Sequence, residues 1–135
     1  MKRVLMCGDR NWKDASLIDS CLMSLVYDIA VNGGGPLVII AGVAKGADSI
    51  AEDRARYHNI ELDLYPAQWH LYGRAAGPRR NQQMLDEGQP GLVVAFHDDL
   101  ENSKGTADMV RRAKKAGVPV IHVSHKNPGG DRLTN

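Results

Sequence analysis

The sequence has little that would staple a fold covalently. It holds two cysteines, Cys7 and Cys21, with no CxxC and no regular spacing. That excludes a disulfide framework and points to a reduced, cytoplasmic protein. It also lacks an excess of either charge. Seventeen Lys and Arg stand against sixteen Asp and Glu, a net of +1. Such a balance gives no general reason to expect nucleic acid or an anionic membrane as partner. The longest unbroken apolar stretches are strand-sized, so no membrane-spanning segment is expected. Met1-Lys2-Arg3 leads into only a few apolar residues before Gly8-Asp9-Arg10, unlike a signal peptide. The histidines have no metal-ligand spacing, and neither a metal nor a cofactor is expected.

What is present is a strong alternation of patterns. The 135 residues, 43% of them apolar, suit one domain with a real core. Five stretches read as strands: Arg3 to Cys7, Leu37 to Ala41, Glu61 to Tyr65, Leu92 to Phe96 and Val118 to Val123. Most are near-continuous apolar runs, as strands covered on both faces require. The third is mixed and reads as an edge. Between the first two strands, Leu17, Ile18, Cys21, Leu22, Leu25, Val26 and Ile29 recur at helical spacing, and Asn32-Gly33-Gly34-Gly35-Pro36 ends that helix. Further helices are predicted from Ala47 to His58, from about Gly77-Pro78, and from Thr106 to Ala116. The order βαβαβαβαβ predicts an α/β fold with a five-stranded, mainly parallel sheet of order 3-2-1-4-5. The domain is expected over residues 1–124. Residues 125–135 are polar, contain Pro128-Gly129-Gly130, and read as a flexible tail.

In such a sheet the loops after the strands form the binding crevice. Three of them are unusual: Gly8-Asp9-Arg10-Asn11-Trp12, Gly42-Val43-Ala44-Lys45-Gly46-Ala47-Asp48, and His97 to Gly105. Two enter helices through a glycine, Gly46-Ala47 and Gly105-Thr106, with Lys45 and Lys104 alongside. Helix amino ends offer free N–H groups, and glycine lets a phosphate approach them. These loops therefore read as phosphate cradles. The plainer alternative is that the glycines only make tight turns and that Ser49 with Glu52 forms a capping box. Neither GxGxxG nor GxxxxGK[ST] is present, which disfavours an ordinary dinucleotide site or P-loop ATPase.

The motifs "GDRNW", "AGVAKGAD", "YPAQWHLYGRAAGPRRNQQM" and "KGTADMVRRAKKAGVPV" occur in that order along almost the whole chain. Together they resemble the YspA-like branch of the SLOG superfamily, found in bacteria and phages and related to DprA/Smf and to the LOG phosphoribohydrolases. The resemblance implies a Rossmann-like three-layer sandwich that binds a nucleotide or nucleotide-derived ligand, as in a sensor of bacterial or phage signalling. It also implies a homodimer or higher homo-oligomer. Gly42, Gly46, Ala47 and Asp48 match the family's first glycine motif, and Gly105-Thr106 match the GT of its second. Arg80 stands four residues before Met84, like the arginine of the LOG "RKxxM" motif, with Asn81 in place of its lysine. The glutamate that follows GT in LOG enzymes falls on Met109 here, with Asp108 one place earlier.

The ligand set implied is Gly8, Asp9, Arg10, Gly42, Lys45, Gly46, Ala47, Asp48, Asn81, Gly105 and Thr106. If the protein is instead an N-glycosidic hydrolase of nucleotides, Arg80 and Asp108 are the candidate working pair. A DprA-like DNA-binding module is a third reading, and near-neutral charge argues against it. Each residue also has a structural alternative. Asp9 and Arg10 could pair with each other. Arg79 and Arg80 could bridge to Asp108 or Glu87. Asp48 and Asp108 could serve as first-turn acids. The acidic loop from His97 to Ser103 reads as solvated, with a divalent metal as its alternative. Trp12, Trp69 and Tyr72 either pack on the core or line the crevice.

Overall fold

A computed structural model describes residues 1–133. Its elements are β1 (Lys2–Gly8), α1 (Ala15–Asn32), β2 (Leu37–Ala41), α2 (Ala47–Tyr57), β3 (Glu61–Leu64), α3 (Trp69–Tyr72), α4 (Ala76–Asp86), β4 (Leu92–Phe96), α5 (Gly105–Lys115), β5 (Val120–Val123) and β6 (Asp131–Leu133). The sheet order is β3-β2-β1-β4-β5-β6. All neighbours run parallel except β5 and β6. The expected order of the first five strands is therefore present.

The alternation along β1 shows how the layers form. Val4 and Met6 join one buried cluster with Ile18, Leu22 and Leu25 of α1 and Ala51 and Ala55 of α2. Leu5 and Cys7 join the opposite cluster with Met84 and Leu85 of α4 and Met109 and Ala113 of α5. Successive side chains of a strand point to opposite faces, so a run apolar at every position has to be covered twice. At the flank, Asp19 of α1 accepts from Arg54 at 2.7 Å and meets His58 at 2.8 Å, which ties α1 to α2.

One expectation, that of the tail, needs correction, and one helix passes a length test that the unbroken apolar runs do not. By length and composition α1 is long and apolar enough to cross a bilayer, although no strand-sized run revealed it. Its two acids interrupt the pattern to the eye, and both are held within the fold: Asp19 as above and Asp28 by Lys2 at 2.8 Å. The segment read as a flexible tail instead turns back and adds β6. His122 pairs with Asp131, Ile121 with Arg132 and Val120 with Leu133. The outer edge of β5 would otherwise present unpaired backbone groups, and the turn through Gly130 at φ 87° satisfies them. Thr134 and Asn135, the end of that expected tail, lie outside the described residues.

Candidate functional site

Strand order reverses at β1: β2 and then β3 are added on one side, and β4 and then β5 on the other. Ligands of open α/β sheets bind outside the carboxyl ends of the strands at such a switch point. The loops after β1, β2 and β4 all leave from that edge.

The first two loops interlock. Gly8 sits so close to β4 and α2 that a Cβ there would lie 2.8 Å from the Ala47 Cβ and would overlap the Phe96 carbonyl. Gly46 has φ 74°, and a side chain there would run into the Asp9 carbonyl oxygen and the Arg10 backbone. That carbonyl accepts from Ala47 N–H at 3.0 Å and from Trp12 N–H at 3.1 Å. Gly46 and Ala47 thus hold the loop after β1 in place, and the Ala47 donor expected to face a phosphate is already engaged. No side chain caps α2, so the Ser49–Glu52 box does not form; Glu52 pairs with Arg56 at 3.0 Å. Asp9 accepts from Asn11 N–H at 2.9 Å in a local turn. It makes no ion pair with Arg10, and Arg10 and Lys45 are exposed without partners among the described residues.

The buried part of the edge lies deeper. Gly42 is buried, and a Cβ there would lie 2.6 Å from Arg80 Cζ. The bare backbone therefore leaves room for the guanidinium. Arg80 Nε donates to Asn81 Oδ1 at 3.2 Å, while Arg80 Nη1 is buried with no hydrogen-bond partner among the described residues. Asp48, 7% exposed, shares this environment. Burial pushes its carboxyl up to about 7, against the opposing charge of Arg80. Cys7 lies beneath. Burial raises its thiol, the charge of Asp48 adds to this, and Arg80 acts in the other direction. An unsatisfied buried guanidinium N–H is costly to leave unpaired, and strongly perturbed buried groups gather at functional sites.

Asn81 and Asp108 do other work. Asn81 Nδ2 donates to the Gly105 carbonyl at 3.3 Å and to Asp108 at 3.0 Å, so this buried amide joins α4 to the start of α5. Asp108 also accepts from Arg112 at 2.8 Å and Arg111 at 3.0 Å. Burial pushes its carboxyl up, but the bonds from Asn81 and Arg112 and the two guanidinium charges outweigh this and leave it lowered. Arg80 is not among its partners. The expected Arg80–Asp108 pair is thus divided: the acid sharing Arg80's buried surroundings is Asp48. Gly105 faces open space and Thr106 is 7% exposed. Ala107 N–H at this helix start donates to Ser103 Oγ at 3.0 Å.

Trp12 does not line the crevice. It is 5% exposed, packs on Phe96 and stacks on His125 with centroids 4.8 Å apart. His125 Nδ1 meets Asp98 at 2.7 Å and Nε2 meets Asp14 at 2.9 Å, and nothing in the spacing of these residues signalled the cluster. Asp98 and Asp99 of the acidic loop are thereby engaged, Asp99 by Asn102 at 3.0 Å. Trp69 and Tyr72, by contrast, stand exposed on α3. Two open surface hollows, of about 690 Å³ beside β3 and 470 Å³ beside α5, include neither Gly42 nor Asp48 nor Arg80.

The fold resembles that of DNA processing protein A (DprA) from Streptococcus pneumoniae, with a TM-score of 0.69 and 17% identity. The match covers 91% of this chain and 50% of that one, so the chain spans half the length of DprA. The "Gene 61 protein" of Mycobacterium phage D29 is 35% identical over 131 residues, covering 93% of this chain and 99% of the relative. Residues 2–72, which carry the interlocked loops of β1 and β2, match the YAcAr profile. The chain belongs to the YspA, cpYpsA-related SLOG family (YAcAr).

Proposed function

We propose that this protein binds a nucleotide or nucleotide-derived small molecule at the carboxyl edge of the sheet, with an anionic group of the ligand on Arg80. The observation that carries this reading is the buried, unpartnered Arg80 Nη1 beside the bare backbone of Gly42. A phosphate oxygen there would satisfy the donor and offset its desolvation. Asp48, close to half protonated near neutral pH, can donate to the same ligand or accept from a ribose hydroxyl. Lys45 and Arg10 supply exposed positive charge at the rim. Base release of the LOG type is disfavoured, because the carboxylate nearest that role, Asp108, is held ionised by Arg112 and Arg111. An acid must carry its proton to give it to a leaving base.

The test is a thermal-shift and calorimetric panel of nucleoside monophosphates, cyclic nucleotides and ADP-ribose. A ligand of the folded state raises the melting temperature. The reading requires at least one such shift, lost in Arg80→Ala. No shift across the panel would refute it.

One observation favours a second reading. Arg10, Lys13, Lys45, Arg74 and Lys104 are exposed on the loops after β1 to β4, interspersed with Asp9, Asp98, Asp99 and Glu101, so the edge offers a strand of phosphates several cations without a net positive field. A single-stranded oligonucleotide belongs in the panel for this reason. Length-dependent binding with a steep salt dependence would move the conclusion to nucleic acid.

A further inference from the structure

The largest exposed apolar side chains near the crevice lie on one helical turn. Trp69, Leu71 and Tyr72 of α3 are 60%, 61% and 42% exposed. This turn follows β3 at the carboxyl edge and leads directly into α4, which carries Arg80. It is braced against the start of that helix. The Arg79 guanidinium lies 4.2 Å from the centre of the Tyr72 ring. The Trp69 ring reaches to 3.4 Å from where a Cβ on Gly77 would stand. Gly77 and Arg80 are three residues apart in α4, so they occupy neighbouring positions on one face of the helix. Both are partly buried, at the border between the packed face, with Ala76, Asn81 and Met84, and solvent. The position that the Trp69 indole touches and the position that carries Arg80, with its unpartnered Nη1, are thus neighbours on one face of α4.

A planar π surface exposed beside an anion-binding guanidinium is the arrangement a nucleobase recognises, since any base can stack on an aromatic face. Resting on the nucleotide reading above, we propose that Trp69 is the wall on which the ligand's base stacks while Arg80 takes its phosphate. Tyr72 is already covered by Arg79, so Trp69 offers the open ring. The site therefore selects for ligands that join an aromatic base to an anionic group. A bare sugar phosphate makes only half of the contact.

Calorimetry with the four nucleoside 5′-monophosphates and with ribose 5-phosphate separates the two halves. At least one nucleotide is expected to bind about tenfold tighter than ribose 5-phosphate, the low range of a base-stacking contact. Trp69→Ala should lose about tenfold for that nucleotide and nothing for ribose 5-phosphate, and Trp69→Phe should recover most of the loss. The nucleotide should quench indole fluorescence in the wild type and in Trp12→Phe, but not in Trp69→Phe. Equal affinity for the nucleotide and ribose 5-phosphate, or unchanged nucleotide binding by Trp69→Ala, would overturn the stacking wall while leaving the Arg80 site standing. Binding of neither compound to the wild type would remove the nucleotide reading itself, and this inference with it.

Discussion

The carbonyl oxygen of Asp9 lies where any side chain on Gly46 would have to pass, and this contact joins the loop after β1 to the start of α2. Gly46→Ala should therefore fail twice, through a left-handed φ of 74° and through overlap with that carbonyl. A loss of about 1–3 kcal/mol is expected, the cost of one strained backbone position. Urea unfolding reads it directly. A variant as stable as the wild type would show that the two loops are not coupled.

Asp48 sets a pH dependence. Its carboxyl is raised from 3.8 to about 7 in the fold, so the folded state holds a proton that the unfolded state gives up. Stability from this residue is full below about pH 4 and falls as pH rises toward 7, the reverse of a salt-bridged acid. Asp48→Asn should flatten the slope and raise stability at pH 8 by about 2–4 kcal/mol, the scale of a shift of this size. Denaturation series at pH 5 and pH 8 check it. An anion bound next to Asp48 should further favour the neutral acid. Ligand affinity should then weaken above pH 7, with proton uptake on binding visible as a buffer-dependent heat.

Arg80→Ala separates binding from folding. Arg80→Ala forfeits no hydrogen bond at Nη1 and only the long Nε bond to Asn81, so the melting temperature should fall by no more than a few degrees. Anion binding should fall by about 10–100-fold, as for loss of a charge-assisted bond. A large fall in stability would mean that the guanidinium is a structural strut instead.

His125 should hold its proton more tightly than an ordinary imidazole. Bonds to Asp98 and Asp14 raise its pKa above 6.5, because both ring nitrogens face carboxylates and only the imidazolium can donate to both. The stabilisation is present below 6.5 and is lost as pH rises through the folded value. An NMR titration of the ring checks the direction. His125→Ala should speed amide exchange in β6 more than in β4.

We expect a homodimer through α1, whose outer surface leaves Val26, Tyr27 and Val31 exposed at 38%, 72% and 60%. Light scattering at micromolar concentration should give twice the mass of the chain, reduced to one chain by Tyr27→Glu with Val31→Glu. A monomeric wild type would contradict this.

Most of the sheet was legible because strands buried on both faces must be apolar throughout, as in Leu37 to Ile40. β6 was not, since Asp131-Arg132-Leu133 carries no apolar pattern and forms only because β5 offers an edge. The family resemblance pointed to Gly42 and Asp48 as ligand residues and to Arg80, with Asp108, as a possible working pair. It joined Arg80 to Asp108 and not to Asp48, which shares Arg80's surroundings, because helical periodicity says which residues share a face and not which helix that face meets. Asp108 is engaged by Arg111 and Arg112 of its own helix, three and four residues on, and by Asn81 of α4. Trp12 was ambiguous for a related reason: its cover, His125, is 113 residues away in the chain.

The added strand β6 also governs how sheets of different molecules can meet. It is short, and its Asp131 and Arg132 are exposed, which makes a poor template for strand addition. β3, at the opposite end of the sheet, is the longer edge. Pairing through β3 would use the longer sheet edge of each molecule, so edge-to-edge pairing by itself joins two chains and no more. With β5 bare, the same molecule would have a receptive border at both ends and could polymerise without limit. Truncation before Asp131 is thus expected to bare a second sheet edge and to add concentration-dependent, edge-to-edge association.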